Sequence, residues 1–340
     1  FPYVFFLFFC FLILHTIYIY IYIYFLLIFN TAYVPRSEVV LLYILISSIS
    51  LLTVALNLLV IISISHYRQL RTPTNLFLLS LAVSDFLVGL LMMPVQTVFI
   101  DDCWILGDLV CAMYCLLAYI VTTASVGNMV LISVDRYVAI CDPLCYPTKV
   151  TLRRVKVGVY LCWICSVLCS SLIQKDSLIQ PGRYNSCHGD CALVLNYITG
   201  AVDLVLTFIG PITVIIVLYM RVFVVAVSQA RAMRSHIVSD TLQPSGTGTA
   251  KKSELKAART LGIVIVMFVI CVCPYYYPSF AGQETSTQAS YLRILLWMFY
   301  CNSSLNPLIY AFFYPWFRKS VKLIVTLQIL QPGSCGTNIL

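Results

Sequence analysis

Three aspartates sit inside long apolar stretches of this chain: Asp85 in LSLAVSDFLVG, Asp135 in LISVDRYVAI, and Asp203 in NYITGAVDLVLTFIGPITVIIVLY. A carboxylate in such surroundings is costly unless it meets water, a cation or donor groups, so each is a candidate for chemistry. Asp85 has Ser125, Asn302, Ser303 and Asn306 as prospective companions, an oxygen-rich set suited to a hard cation such as sodium. The competing reading is a hydrogen-bonded network without an ion. Asp135 precedes Arg136 and Tyr137, and Arg136 can pair with Glu254 in KKSELKAARTLG as a latch that breaks when two helix ends separate. Asp203 has only Val202, Leu204 and Val205 beside it in sequence, and an ammonium would give it a charge-assisted hydrogen bond. Its alternative is an Asp at a helix end, held by headgroup water or by the helix N-terminus.

Aromatic walls for an ammonium come from Tyr119, Tyr275, Tyr276, Trp297 and Tyr300, where cation–π attraction contributes ~0.5 to 2 kcal/mol. Thr122 and Thr207 complete the candidate ligand-binding set. One interior acid suits a ligand with a single positive charge, since a doubly charged one would need a second acid and only Asp102, Asp190 or Glu284 offer one, in loops.

The elements that must position these groups are membrane helices. Of 340 residues, 61% are hydrophobic and 10% charged, against about a quarter charged in soluble domains. Apolar runs long enough to span a bilayer are predicted at 39–65, 73–99, 108–141, 152–174, 196–228, 252–281 and 289–313. Arg68, Arg71, Lys149, Arg153, Arg154, Lys156, Arg231, Arg234, Lys251, Lys252, Lys256, Arg318 and Lys319 then fall on one side, which the positive-inside rule makes cytoplasmic. The N-terminus is expected outside, and the net charge of +8 reports topology, with no sign of a nucleic-acid partner. Pro274 interrupts the sixth span as a hinge, and the seventh ends with Asn306-Pro307 followed by Tyr310. Trp316, Phe317, Arg318, Lys319 and Lys322 suit a short eighth helix in the interface. The fold expected is an all-α membrane protein, a seven-transmembrane helix bundle with a short interfacial eighth helix. Most of the 15 cysteines read as small buried hydrophobes; Cys103, Cys111, Cys187 and Cys191 fall in segments expected outside, where oxidation is allowed.

Residues 1–34 include IYIYIYIY, an alternation with no packing logic that an A/T dinucleotide repeat would encode. They read as a mispredicted exon or translated non-coding sequence, with a signal peptide or signal anchor as alternatives. The remainder divides into a seven-transmembrane domain at 35–325 and a cytoplasmic tail at 326–340.

Asn57, Asp85, Asp135-Arg136-Tyr137, Trp163, Pro211, Pro274 and Asn306-Pro307-x-x-Tyr310 together resemble the rhodopsin-like G-protein-coupled receptors over about residues 40 to 325. Within them, NSSLNPLIYAFFYPWF is similar to the trace amine-associated receptor signature NSxxNPxxYxxxYxWF at every fixed position. CDPLCYPTKVT, DDCWILGDLVC and KAARTLGIV resemble the same family. The resemblance implies a plasma-membrane, multi-pass receptor for volatile amines, olfactory or chemosensory, acting through a stimulatory heterotrimeric G protein and cyclic AMP. It implies no enzyme activity and no cofactor beyond an allosteric sodium ion. In that family an Asp five turns above the DRY arginine holds the ammonium; eighteen residues before Arg136, about 27 Å along the helix, stands Ala118. The departure resembles a divergent fish branch in which an acid of the fifth helix serves the amine, which points to Asp203. The family's transmission path carries over to Pro211, Val126 and Phe268, and its G-protein contacts to Tyr219 and Arg136. Cys111 with Cys191 is the disulfide that the family implies, with Cys111–Cys187 as runner-up, and Val272 stands where the family's CWxP motif has Trp. Another biogenic-amine receptor and a non-functional receptor-like product are the alternatives. A transporter ranks lower, since no internal repeat is visible.

Overall fold

The computed structural model describes residues 36–98, 104, 106–180, 191, 195–239, 262–276 and 289–339. Residues 1–34 therefore lie outside the described residues. Seven helices form the bundle. α1 is Arg36–His66; α2 runs as Pro73–Leu87, Val88–Met92 and Met93–Val98; α3 is Asp108–Cys141; α4 is Leu152–Ile173. α5 runs as Tyr197–Asp203, Leu204–Ile209 and Gly210–Ser239; α6 is Gly262–Tyr276; α7 is Ala289–Phe313; and α8, lying beyond the bundle, is Pro315–Val325. Five of them, α1 to α5, are long and apolar enough to cross a membrane.

Three helices, α2, α4 and α5, begin at a residue whose side chain caps them, Thr72, Thr151 and Asn196. Thr72 accepts from the Asn75 amide at 3.3 Å ahead of Pro73, whose missing N–H costs nothing in the first turn. Asn196 accepts from the Thr199 amide at 2.8 Å to start α5. The bundle is inside out compared with a soluble core. Leu51, Leu168 and Phe223 are exposed on its outer face, while Asn57, Asp85, Asn128 and Asn306 are buried within it. That is the arrangement lipid demands.

α3 is the central strut, packed against α2, α4 and α5, while α1 packs against α2 and α7. Trp163 on α4 donates its indole N–H to Ser80 on α2 at 3.0 Å. α1 and α2 meet at Gly89, where an added Cβ would lie 2.9 Å from Thr53 Cγ2, so only glycine permits this approach.

Two helices contain a π-helical turn, Val88–Met92 in α2 and Leu204–Ile209 in α5. In each, a proline follows two residues after the turn ends, Pro94 and Pro211. Proline removes one ladder donor and its ring crowds the carbonyl four residues back; a turn widened by one residue relieves both. The carbonyl of Gly89 inside the first turn accepts from Ser50 Oγ at 2.7 Å.

α8 is amphipathic: Trp316 and Phe317 are buried, while Arg318, Lys319 and Lys322 are exposed. Arg318 Nη1 donates to the carbonyls of Ala311 at 3.0 Å and Phe312 at 2.9 Å, closing the C-terminal end of α7. Residues 326–339, expected as a tail, fold back on the turn between α1 and α2. Ser334 Oγ meets His66 Nε2 at 3.0 Å, the Ile339 amide donates to Gln69 Oε1 at 3.1 Å, and Ile339 is buried.

Candidate functional site

In the outer half of the bundle, Asp203 is 6% exposed and is held by hydroxyls from two helices. Tyr119 on α3 donates to Asp203 Oδ2 at 2.6 Å, and Thr207 donates to Oδ1 at 3.1 Å and to the Asp203 carbonyl at 2.8 Å. Thr207 Oγ1 also lies 3.5 Å from the Tyr276 hydroxyl on α6. The only ion pairs among the described residues are Arg136–Asp135 and Lys149–Asp142, so no protein cation neutralises Asp203 there. An ionised carboxylate offers about four acceptor positions, and two hydroxyl donors leave room for a ligand cation.

The π-helical turn begins directly after Asp203. One extra residue in a turn rotates the helix above it by about 100° relative to the helix below. Phe208, five residues after Asp203, lies within that turn and stacks on Tyr276 with ring centroids 4.2 Å apart. Tyr276 meets Tyr275 edge-on at 5.2 Å, Tyr275 meets Phe299 at 5.6 Å, Phe299 meets Tyr300 at 6.2 Å, and Tyr300 meets Trp297 at 6.5 Å. A continuous aromatic wall thus runs from α5 through α6 to α7.

The predicted ligand set is only partly gathered at the acid. Asp203, Tyr119, Thr207 and Tyr276 come together, with Tyr275 next to them. Trp297 and Tyr300 belong to a separate apolar cluster with Ile46, Val88, Met92, Met93 and Val121, against which Ala118 packs. Thr122 donates to the Ala118 and Tyr119 carbonyls of its own helix, at 2.8 and 3.1 Å. Sequence reasoning missed Phe208 and Phe299, which no local pattern marks.

Below this site, Ser303 donates to Asp85 Oδ1 at 2.9 Å and Asn306 Nδ2 to Oδ2 at 2.7 Å. Asn57 Nδ2 donates to the carbonyls of Thr53 and Ser303, both at 3.0 Å, tying α1 to α7. The amide oxygens of Asn57, Asn302 and Asn306 are buried without a hydrogen-bond partner. Orphaned acceptors around one carboxylate are what a hard cation uses, so the residues fit sodium. Ser125 is buried on α3 but is not one of Asp85's partners.

At the end of the bundle away from Asp203, Arg136 pairs with Asp135 and donates to Thr74 Oγ1 at 2.6 Å. Thr74 donates in turn to Asp135 Oδ2 at 3.0 Å, and Tyr146 donates to Oδ1 at 2.9 Å. Arg136 is only 8% exposed. Tyr137 and Tyr219 pack on Ile140 and Val222, and a Cβ at Gly262 would collide with the Tyr219 side chain, so α5 and α6 touch there. Glu254 lies outside the described residues. Phe268, Tyr310 and Val126 are buried in the main core, Asn306 is buried beside Asp85, and Pro307 stands inside α7. Pro274 is in α6, two residues before the last described residue of that helix. On the exposed turn after α3, the Lys149 hydrogen bond to Asp142 at 2.6 Å holds the Asp142 carboxyl below its ordinary value and raises the Lys149 ammonium. Burial raises the Tyr146 phenol.

Cys111 and Cys191 form a disulfide with Cα atoms 5.6 Å apart, fastening the segment before α5 to the outer end of α3. Cys187 lies outside the described residues.

The family model of the 7 transmembrane receptor (rhodopsin family) matches residues 56–310. The chain is 37% identical to trace amine-associated receptor 13c of Danio rerio over 323 residues, covering 91% of this chain and 92% of that protein. It is 38% identical to trace amine-associated receptor 8b of Mus musculus over 317 residues, 90% and 91% of the two chains. Trace amine-associated receptor 9 of Rattus norvegicus is 40% identical over 303 residues, 85% and 88%.

Proposed function

Because the chain belongs to the rhodopsin-family seven-transmembrane receptors, and among them to the trace amine-associated receptors, we propose that it is a plasma-membrane receptor for small monoamines held by Asp203. The observation that carries this reading is a buried carboxylate with two hydroxyl donors, no protein cation among the described residues and an aromatic wall beside it. An ammonium reaching Asp203 gains a charge-assisted hydrogen bond in a partly dry site, and Phe208 and Tyr276 present π faces to it. Tyr119 and Thr207 hold the acid's orientation from both sides, so its position is set before the ligand arrives.

Ligand contact bridges α5 to α6 through Tyr276. A receptor with two packings shifts toward the one the amine contacts better. Beneath the site, Phe208, Ile212, Val126, Phe268 and Val272 share one packed core, so a displacement of α5 is passed to α6 by contact. Val272 stands where the family pattern has tryptophan, and Phe268 is the largest fully buried side chain that α6 contributes to that core, left to relay the shift. At the inner end, Arg136 leaves Asp135 and Thr74 to meet the G protein, and α5 and α6 separate at Tyr219 and Gly262. Asp85 with Ser303, Asn302 and Asn306 would hold sodium, whose positive charge would favour the resting packing. The G protein is of the stimulatory type, the output is cyclic AMP, and the biological setting is olfactory; the exposed basic side chains Arg68, Arg71 and Arg154 mark the cytoplasmic side, leaving the N-terminus outside.

The test is a panel of monoamines applied to cells expressing the full chain, each paired with the neutral alcohol of the same shape. Amines are expected to raise cyclic AMP and alcohols to be inert. Equal responses to both, or to neither, would remove the amine reading.

A further inference from the structure

A third sulfur stands beside the disulfide. Cys115 lies one helical turn below Cys111 on α3, its Sγ is 3.9 Å from Cys191 Sγ, and all three sulfur atoms lie within 4.8 Å of one another. Residues four apart share a helix face, so Cys111, Cys115 and Tyr119 form one column that descends from the disulfide to Asp203. Cys115 is a free thiol and neither it nor Cys191 is fully buried.

We propose that Cys115 is an exchanging thiol: it attacks the Cys111–Cys191 disulfide and takes Cys191 for itself, giving the receptor two alternative anchors for the segment that precedes α5. The step is an isomerisation. Cys115 gives its proton to water, its side chain and that of Cys191 rotate to bring the three sulfurs into line, and the thiolate attacks Cys191 Sγ. A Cys115–Cys191 bond forms as the Cys111–Cys191 bond breaks. The electron pair departs on Cys111 Sγ, which takes up a proton. One disulfide and one thiol are present before and after, so no oxidant or reductant is consumed. The outer side of the membrane, where these residues lie, preserves disulfides in either arrangement.

The two arrangements differ in where Cys191 is tethered. Four residues at 1.5 Å each place the second anchor about 6 Å deeper along α3, one turn above Tyr119. Cys191 is five residues before Asn196, the cap of α5, so the tether's depth bears directly on the start of the helix that carries Asp203. The exchange does not depend on which ligand the receptor takes, and its readout is covalent.

The experiment maps disulfides in the full chain in cell membranes. Native membranes are equilibrated in glutathione buffers of graded redox poise, quenched in acid, alkylated, and digested without reduction for mass spectrometry. Two populations are expected: Cys111–Cys191 with alkylated Cys115, and Cys115–Cys191 with alkylated Cys111. In Cys111→Ser the Cys115–Cys191 peptide is expected at full yield with surface delivery maintained, and Cys111→Ser/Cys115→Ser is expected to lose surface level several-fold. The proposal is overturned if native membranes yield only Cys111–Cys191 with alkylated Cys115 at every poise. It is equally overturned if Cys111→Ser reaches the surface with Cys115 and Cys191 both alkylated. If that variant fails to reach the surface, the native digest decides alone.

Discussion

Thr74→Val should switch the receptor partly on without ligand. The Thr74 hydroxyl accepts from Arg136 at 2.6 Å and donates to Asp135 at 3.0 Å, so a single oxygen supports both members of the buried pair in the resting packing. Valine keeps the shape and removes both bonds. Hydrogen bonds to charged groups contribute roughly 1.5 to 3 kcal/mol each; with the Asp135–Arg136 pair and the Tyr146 bond intact to absorb part of the loss, a net cost of about 2 kcal/mol is reasonable. The active packing, in which Arg136 has left Thr74, loses nothing. The equilibrium then moves about 30-fold, taking a receptor that is about 1% active at rest to about 23%. The same shift raises the fraction competent to bind, so the amine concentration for half-response should fall about 20-fold. The assay is basal and amine-evoked cyclic AMP at matched surface level, with Thr74→Ser, which retains the hydroxyl, as the control expected near native. Unchanged basal signal and unchanged potency in Thr74→Val would refute the idea that these bonds hold the resting state.

Gly262→Ala places a methyl group against the Tyr219 side chain; overpacking of this kind costs about 1 to 3 kcal/mol, and a lower melting temperature of the detergent-solubilised receptor is expected, with Tyr219→Ala restoring it. Replacing sodium by an organic cation should raise amine affinity in the native chain and leave Asp85→Asn unaffected; an equal sodium effect in both would show that the ion does not sit at Asp85. Pro211→Ala returns a ladder donor and lets the Leu204–Ile209 turn revert to ordinary helix, rotating Asp203 by about 100°. Amine potency should therefore fall at least about tenfold, the factor that a loss of 1.4 kcal/mol produces, while surface level holds; full potency would mean that the π turn does not aim the acid.

Much of this was legible in the sequence because lipid leaves so few options. Asp85, Asn306 and Asp203 stand out as polar groups in apolar helices, and that alone marks them as inward-facing. The DRY and NPxxY segments could be read for the same reason. The helix boundaries follow from caps such as Thr72 and Asn196, which are local. What was not legible depends on three dimensions. The π turns change the face a residue occupies without changing composition, so Phe208 was invisible as the partner of Tyr276, and nothing in the composition shows that the Thr122 hydroxyl is taken by its own backbone. Trp297 and Tyr300 share the aromatic character of the site but pack toward α1 and α2, a choice made by inter-helix distances. The fold-back of Ser334 and Ile339 onto His66 and Gln69 joins residues more than 260 positions apart, and no local pattern announces it. Cys115 is one more small hydrophobe in an apolar run until its distance from Cys191 is known.

The measurement that bears most directly on the central claim is the monoamine dose–response of Asp203→Asn against the native chain, by cyclic AMP at equal surface level. Asparagine keeps the shape and can still accept from Tyr119 or Thr207, so the comparison isolates the charge. Losing a charge-assisted bond of about 1.5 to 3 kcal/mol should move the half-maximal concentration upward by about 10- to 150-fold. An unchanged curve would contradict the account, because the ammonium would then be held by some other group than the acid of α5.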